Sequence, residues 1–229
     1  MVSALIVAAG KGTRMGANID KLFLEVAGRP VVAHTWAQFD RMALIEEIVL
    51  VVRDGMAQTF QGLAKHYGFK KPFKIVIGGK ERQDSVSNGL SALNEASEIV
   101  AIQDAARPCT SQQLIQATLE AARQVGAAVA AQPVIDTIKE SSDGTMISRT
   151  VDRSKLWAVQ TPQTFRVEVI RRAMLEVRRR ALSVTDDTAA CELIGQPVRL
   201  IFGTEPNPKV TRPEDLQYVE LLLRGAKPL

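Results

Sequence analysis

Ala4-Leu-Ile-Val-Ala-Ala-Gly-Lys-Gly-Thr-Arg-Met-Gly-Ala-Asn-Ile-Asp-Lys21 is the stretch from which the fold is read. The apolar run Ala4 to Ala9 predicts a buried strand. It breaks into Gly10-Lys11-Gly12-Thr13-Arg14, a loop of exposed backbone amides. Glycines let a backbone come close to a ligand, and successive amides make an anion-binding concavity. Lys11, Arg14 and Lys21 add positive charge over the same spot, so a polyphosphate fits the loop. The dinucleotide pattern G-x-G-x-x-G fails at Met15, and no Lys-Ser or Lys-Thr follows the last glycine as a P-loop requires.

Outward from this loop, strand and helix patterns alternate. Helical spacing covers Val31 to Arg41, a buried strand Glu46 to Val52, a helix Met56 to Tyr67 and a strand Phe73 to Ile77. Gly78 to Ser85 opens a helix through Leu93, with Ser85 at a helix start where its hydroxyl can cap. A strand follows at Ile99 to Gln103, a helix at Ser111 to Val125 and a strand at Ala127 to Pro133. Such alternation predicts an α/β fold, a Rossmann-like layered and mostly parallel sheet with helices on both faces, which binds ligands at the carboxyl ends of its strands. The alternation stops between residues 136 and 159. There two β segments flank Ser141-Ser-Asp-Gly144, a hairpin signal with Asp143-Gly144 at its tip. An isolated hairpin is marginal in water, which predicts a protruding β-arm leaning on a partner surface. Beyond it, Phe165 to Arg180 reads as a helix, Thr185 as the N-cap of another, Val198 to Phe202 as a strand, and Pro213 as the first position of a last helix.

Composition sets bounds on function. At 229 residues with 46% hydrophobic content, one domain spanning 1–229 is expected. The net charge of +4 suits small anionic substrates and falls short of the clustered charge of a nucleic-acid binder. Arg171-Arg172 and Arg178-Arg179-Arg180 lie on a predicted helix and read as a solvated face. Cys109 and Cys191 have neither disulfide-framework nor metal spacing. No apolar run has the length of a signal peptide core or a membrane span, so a cytoplasmic protein is expected, with neither nucleic acid nor membrane as partner. Only His34 and His66 are available, each inside a predicted helix, which leaves no hydrolase triad.

Five further blocks accompany the opening loop: Gly78-Gly79-Lys80-Glu81-Arg82-Gln83-Asp84-Ser85-Val86, Asp104-Ala105-Ala106-Arg107-Pro108, Val151-Asp152-Arg153, Gln160-Thr161-Pro162-Gln163, and Lys209-Val210-Thr211-Arg212-Pro213-Glu214-Asp215. In this order they resemble the 2-C-methyl-D-erythritol 4-phosphate cytidylyltransferases of isoprenoid precursor biosynthesis, along the whole chain. The resemblance implies a nucleotidyltransferase (glycosyltransferase-A-like) fold and transfer of CMP from CTP to a polyol phosphate. It assigns Arg14, Lys21 and Lys209 as catalytic cations, with Lys11 a secondary candidate. Ala8, Ala9, Gly10, Gly12, Gly79, Ser85, Asp104 and Ala105 would bind CTP, Ser85 and the Gly78-Gly79 stretch reading the cytosine. Thr137, Arg153 and Lys209 would grip the acceptor phosphate, a hydroxyl and two cations making a sound dianion clamp. Asp104, a strand-end carboxylate near triphosphate, suits Mg2+ or another divalent cation. The resemblance also implies a homodimer through the β-arm, so that Thr137 and Arg153 serve the neighbouring subunit's site.

Three positions depart from the pattern. Gln103 stands where the family often has histidine, Lys80 where an acid is also seen, and Pro206-Asn207-Pro208 precedes Lys209 in place of the commoner Asn-Ile spacing. A ribitol 5-phosphate cytidylyltransferase shares these motifs and stands as an alternative. A non-catalytic nucleotide-sensing module is a further alternative, although a sensor has no need of the transfer cations.

Overall fold

A computed structural model describes residues 1–10 and 20–225. The described chain runs β1 (Val2–Ala8), β2 (Glu25–Val26), β3 (Arg29–Pro30), α1 (Val31–Arg41), β4 (Glu47–Val52), α2 (Ala57–Tyr67), β5 (Phe73–Ile77), α3 (Arg82–Ser91) and β6 (Ile99–Asp104). It continues through α4 (Gln112–Val125), β7 (Ala127–Pro133), β8 (Ile138–Glu140), β9 (Arg149–Val151), β10 (Trp157–Arg166), α5 (Val167–Arg179), α6 (Asp187–Glu192), β11 (Arg199–Phe202) and α7 (Asp215–Leu223). Seven strands form one sheet in the order β11-β7-β10-β6-β1-β4-β5. Every pairing in it is parallel except those of β10, which runs antiparallel to both β6 and β7.

The apolar strand runs are explained by burial on both faces. Ala4, Ile6 and Ala8 of β1 join Ile48, Leu50 and Val52 of β4 in one core, covered by α1, α2, α4 and α7. Leu5, Val49 and Val51 point the other way, into a second core covered by α3, α5 and α6. On the first face Trp36 is fully buried and stacks on Phe69 at 4.4 Å, with Phe73 edge-on at 5.1 Å, which pins α1 over the β5 side of the sheet.

The expected alternation holds along the chain, with local corrections. α3 begins at Arg82, capped by Glu81 with Asp84 reaching back to the Glu81 amide at 3.0 Å, so Ser85 lies inside the first turns and is not the cap. Phe165 and Arg166 belong to β10, and α5 starts at Val167. The cap of α6 is Asp186, whose carboxylate accepts from the Ala189 amide at 2.9 Å; Thr185 lies outside it. Pro213 precedes the last helix, which is entered through Glu214. Of the 136–159 segment expected as an arm, Trp157 to Val159 instead begin β10 and pair with β7 in the main sheet, and the residues before them lie outside it. β8 and β9 pair antiparallel from Ile138↔Val151 to Glu140↔Arg149, and the Asp143 carboxylate accepts from Thr145 N, Met146 N and Ser141 Oγ to shape the tip. Along this arm Ile135, Met146 and Ile147 are 79%, 72% and 65% exposed. No helix among the described residues is long and apolar enough to cross a membrane.

Candidate active site

The carboxyl ends of β1 and β6 and the start of α3 enclose a cavity of about 370 Å³, lined by residues 7–10, Lys21, Leu22, residues 79–82, Ser85, residues 104–106 and Lys209. Four of the sequence blocks therefore converge on one space. Lys11, Gly12 and Arg14 lie outside the described residues. A wider hollow at the opposite end of the sheet carries charges that are already partnered: the Met1 amine lies 4.0 Å from Glu46 and 3.9 Å from Glu98, and Arg166 donates to the Arg123 carbonyl.

One wall is the loop before α3. Gly78 N donates to Val52 O at 2.8 Å, and Gly79 N donates to Ser85 Oγ at 3.1 Å, while the Ser85 hydroxyl donates to Glu81 O. Side chains would not fit here. A Cβ on Gly78 would collide with the Ala9 methyl and lie 2.8 Å from Ser85 Oγ, and one on Gly79 would press on the Asp84 backbone. The loop thus brings bare backbone to the cavity at the amino end of a helix, where aligned amides favour an anion. Ser85 shapes this loop with both sides of its hydroxyl.

At the centre lies Asp104, the last residue of β6. Its Oδ2 meets Lys209 Nζ at 2.8 Å and Arg107 Nε at 3.5 Å, whereas Oδ1 lies 3.9 Å from Arg82 Nε. Burial pushes the carboxyl up, but Lys209, Arg82 and Arg107 together outweigh burial and hold it below the ordinary value, so it stays ionised. Arg82 is itself clamped from behind. Its Nη1 and Nη2 donate to the two oxygens of Asp187, at 2.8 and 2.7 Å, and the Asp187 side chain is fully buried. Gln163 holds that acid in place, its Oε1 accepting from Asp187 N and its Nε2 donating to Asp186.

Lys21 donates to the Val210 carbonyl at 2.8 Å, and Val210 N donates to Ala106 O at 2.8 Å. Lys21 and Lys209, distant in sequence, are thereby joined through one segment of backbone. Ala105 is fixed from two sides, its amide on Val7 O and its carbonyl on Thr35 Oγ1. Thr137 and Arg153 do not line the cavity; both are exposed on the arm, and Arg153 donates to the Ile135 carbonyl.

The cavity brings together the predicted Asp104, Lys21, Lys209, Ser85 and Gly79, while Arg82, Asp187 and Asn207 were not among the predicted site residues. Arg82 sat inside a quoted block, but a partner 105 residues away leaves no local signal. Asp187 opens the first turn of α6, and its side chain is buried behind the cavity.

Among the described residues no three His, Cys, Asp or Glu side chains gather as a metal cage. A single ionised carboxylate lining the cavity, as Asp104 does, still fits magnesium, which is held by one or two carboxylates together with phosphate oxygens.

The chain matches the family model described as 2-C-methyl-D-erythritol 4-phosphate cytidylyltransferase over residues 2–225. It is 43% identical over 227 residues to the enzyme of that name from Alkaliphilus metalliredigens, covering 99% of this chain and 94% of the relative. The relative of that name from Dehalococcoides mccartyi is also 43% identical, with coverage of 99% and 97%. The solved 4-diphosphocytidyl-2C-methyl-D-erythritol synthase of Anaerococcus prevotii superposes with a TM-score of 0.85 at 31% identity, covering 97% of this chain and 96% of that one. The cytidylyltransferase of Thermus thermophilus superposes with a TM-score of 0.79 at 33% identity, covering 97% and 98%.

Proposed function

The chain belongs to the 2-C-methyl-D-erythritol 4-phosphate cytidylyltransferase family, and from that premise we propose that it transfers CMP from CTP to 2-C-methyl-D-erythritol 4-phosphate, releasing pyrophosphate. The observation that carries this is the convergence of Lys21, Lys209, Arg82 and Asp104 on a cavity walled by side-chain-free backbone. An acceptor phosphate oxygen attacks the α-phosphorus of CTP in line. The new P–O bond forms as the bond to the β-phosphate oxygen breaks, and that electron pair leaves with pyrophosphate. No group on the protein need form a covalent bond, so positioning and charge neutralisation do the catalysis. Lys21, with Arg14, neutralises charge growing on the transferring and leaving phosphates. Lys209 holds the acceptor phosphate, and its pairing with Asp104 sets it beside the α-phosphate position. Gly79, Ser85 and the Ala8 to Gly10 and Ala105 backbone receive the nucleotide. Oδ1 of Asp104 would hold a divalent cation, which supplies charge neutralisation across the triphosphate.

The acceptor clamp needs Thr137 and Arg153, which the same chain keeps away from its own cavity. We assign them to the neighbouring site of a homodimer, and the bare Ile135, Met146 and Ile147 on the arm support a partner there. The test is pyrophosphate release with magnesium and CTP, methylerythritol phosphate and ribitol 5-phosphate being offered in parallel, with Lys21→Ala as control. Turnover of methylerythritol phosphate, lost in the variant, is the expected result. Turnover of ribitol phosphate alone would overturn the acceptor assignment, and release with neither would overturn the activity.

A further inference from the structure

Lys209 sits between two anchors. On its far side Val210 is fully buried, with its amide on Ala106 O and its carbonyl on Lys21 Nζ. On its near side, across one proline, is Asn207, which is 3% exposed and bonded at every polar atom of its side chain. Thr110 Oγ1 lies 2.9 Å from its Oδ1, and its Nδ2 donates to Gln160 Oε1 at 3.1 Å and to the Thr161 carbonyl at 2.8 Å. Since a carbonyl only accepts, the Thr161 contact fixes which end of the amide is nitrogen. Arg107 Nη1 donates to the Asn207 carbonyl at 2.7 Å.

These partners are parts of the site. Thr161 Oγ1 accepts from the Asp104 amide at 3.1 Å, and Arg107 also lies on the Asp104 carboxylate. The register of β10 on β7 slips between Val159 and Gln163, where Pro162 cannot donate to the ladder, and Gln160 and Thr161, which meet Asn207, lie in this irregular stretch of the strand. Pro208 adds a fixed φ and no donor of its own. The Lys209 backbone is thus held to a span of two residues, and its ammonium falls on Asp104 at 2.8 Å.

We propose that Asn207 is the positioning residue that aims Lys209 at the reacting phosphates, using the Gln160-Thr161 stretch of β10 as its fixed reference. The proposal rests on Lys209 as the acceptor-phosphate ligand. Asparagine suits the position because two donors meet two carbonyl-type oxygens while one acceptor meets a hydroxyl. Aspartate would set a carboxylate against those oxygens, and alanine would take the amide donor away from the Thr161 carbonyl and from Gln160 Oε1.

The test combines kinetics with chemical labelling of Lys209. In Asn207→Ala, kcat/KM for the acceptor falls about tenfold to a hundredfold while KM for CTP stays within about twofold, since a misplaced group costs that much without touching the nucleotide pocket. In a Lys209→Ala background, Asn207→Ala changes turnover by no more than about twofold, the signature of two residues acting as one. Acetylation of Lys209, followed by mass spectrometry in the absence of substrates, speeds up several-fold over wild type while that of the exposed Lys139 does not change. This labelling readout holds even if neither acceptor turns over, so failure of the activity and failure of the positioning role stay distinguishable. Thr110→Val, which removes the hydroxyl that meets Asn207 Oδ1, the Arg107 carbonyl and Gln103 Nε2 and leaves both Nδ2 bonds of Asn207 in place, produces the same changes at smaller size and decides the matter if the alanine variant fails to fold. Unchanged Lys209 labelling in a folded variant, a loss that multiplies with Lys209→Ala, or an equal rise in KM for CTP would each overturn the proposal.

Discussion

Replacing Arg82 with alanine strands a carboxylate in the interior. Asp187 has no exposed side-chain surface and takes both of its short bonds from the Arg82 guanidinium. Removing one partner of a buried pair costs about 3–5 kcal/mol, because the surviving charge keeps its desolvation penalty and loses its compensation. For 229 residues, an unfolding entropy of about 2.1 cal/mol/K per residue gives about 0.5 kcal/mol/K, so the melting temperature drops by about 6–10 °C at pH 8. The pH dependence has a definite sign. Burial already pushes the Asp187 carboxyl above its ordinary value, Arg82 opposing it. Without Arg82 the folded-state value rises further above the unfolded one, and the folded state then binds more protons than the unfolded state in the window between them. Stability of the variant therefore increases as pH falls through the raised folded-state value, and the deficit against wild type narrows from pH 8 toward pH 5. Thermal and urea melts at pH 8, 6.5 and 5, followed by circular dichroism, measure it. Arg82→Met with Asp187→Leu, which removes both charges, is less destabilised than Arg82→Ala. A deficit below about 1 kcal/mol at pH 8, or one that widens in acid, would refute the uncompensated-charge argument.

Further outcomes follow from the same geometry. Gly78→Ala, whose new methyl would meet Ala9 and Ser85, weakens CTP binding by about tenfold or more in calorimetric titration, consistent with about 1–3 kcal/mol for overpacking. Lys21→Ala lowers kcat by about a hundredfold to a thousandfold, the scale of losing one charge-stabilising group, with the melting temperature as a folding control. Ile135→Asp combined with Ile147→Asp, at two exposed apolar positions, yields a monomer in light scattering, and acceptor turnover is lost with the dimer. Chelation of divalent cations stops pyrophosphate release and leaves the melting temperature within about 1 °C, since no clustered metal ligands hold the described fold together.

The fold was legible where one signal dominated. The apolar run expected from Glu46 to Val52 is a doubly buried strand from Glu47, the helix expected from Ser111 begins one residue later with Ser111 as its cap, and Asp143-Gly144 lies at the tip of the arm. Errors fell where two signals compete. Thr185, Asp186 and Asp187 are all plausible helix-start residues, and tertiary structure decided among them: Asp187 is taken by Arg82, which leaves Asp186 as cap. Phe165 continues β10 because it pairs with Val100 and Ala127, partners that helical periodicity does not record. In the site, residues inside glycine loops or at strand ends announced themselves, whereas Asn207 and Asp187 act through contacts 97 and 105 residues distant, and no short-range pattern carries them.

The place of β10 has a bearing on how the chain is made. It lies between β6 and β7, yet it is synthesised after both. Until residue 166 has emerged, the facing edges of β6 and β7 have no partner, and two apolar strands wait as open templates for any passing extended segment. The arm is the connection that carries the chain out and back so that β10 can enter from the opposite direction. The sheet thus closes by late insertion of an interior strand. The edge of β6 is covered once Gln163 to Arg166 pair with Ile99 to Ile102, and the outer edge of β7 stays open until β11 is made.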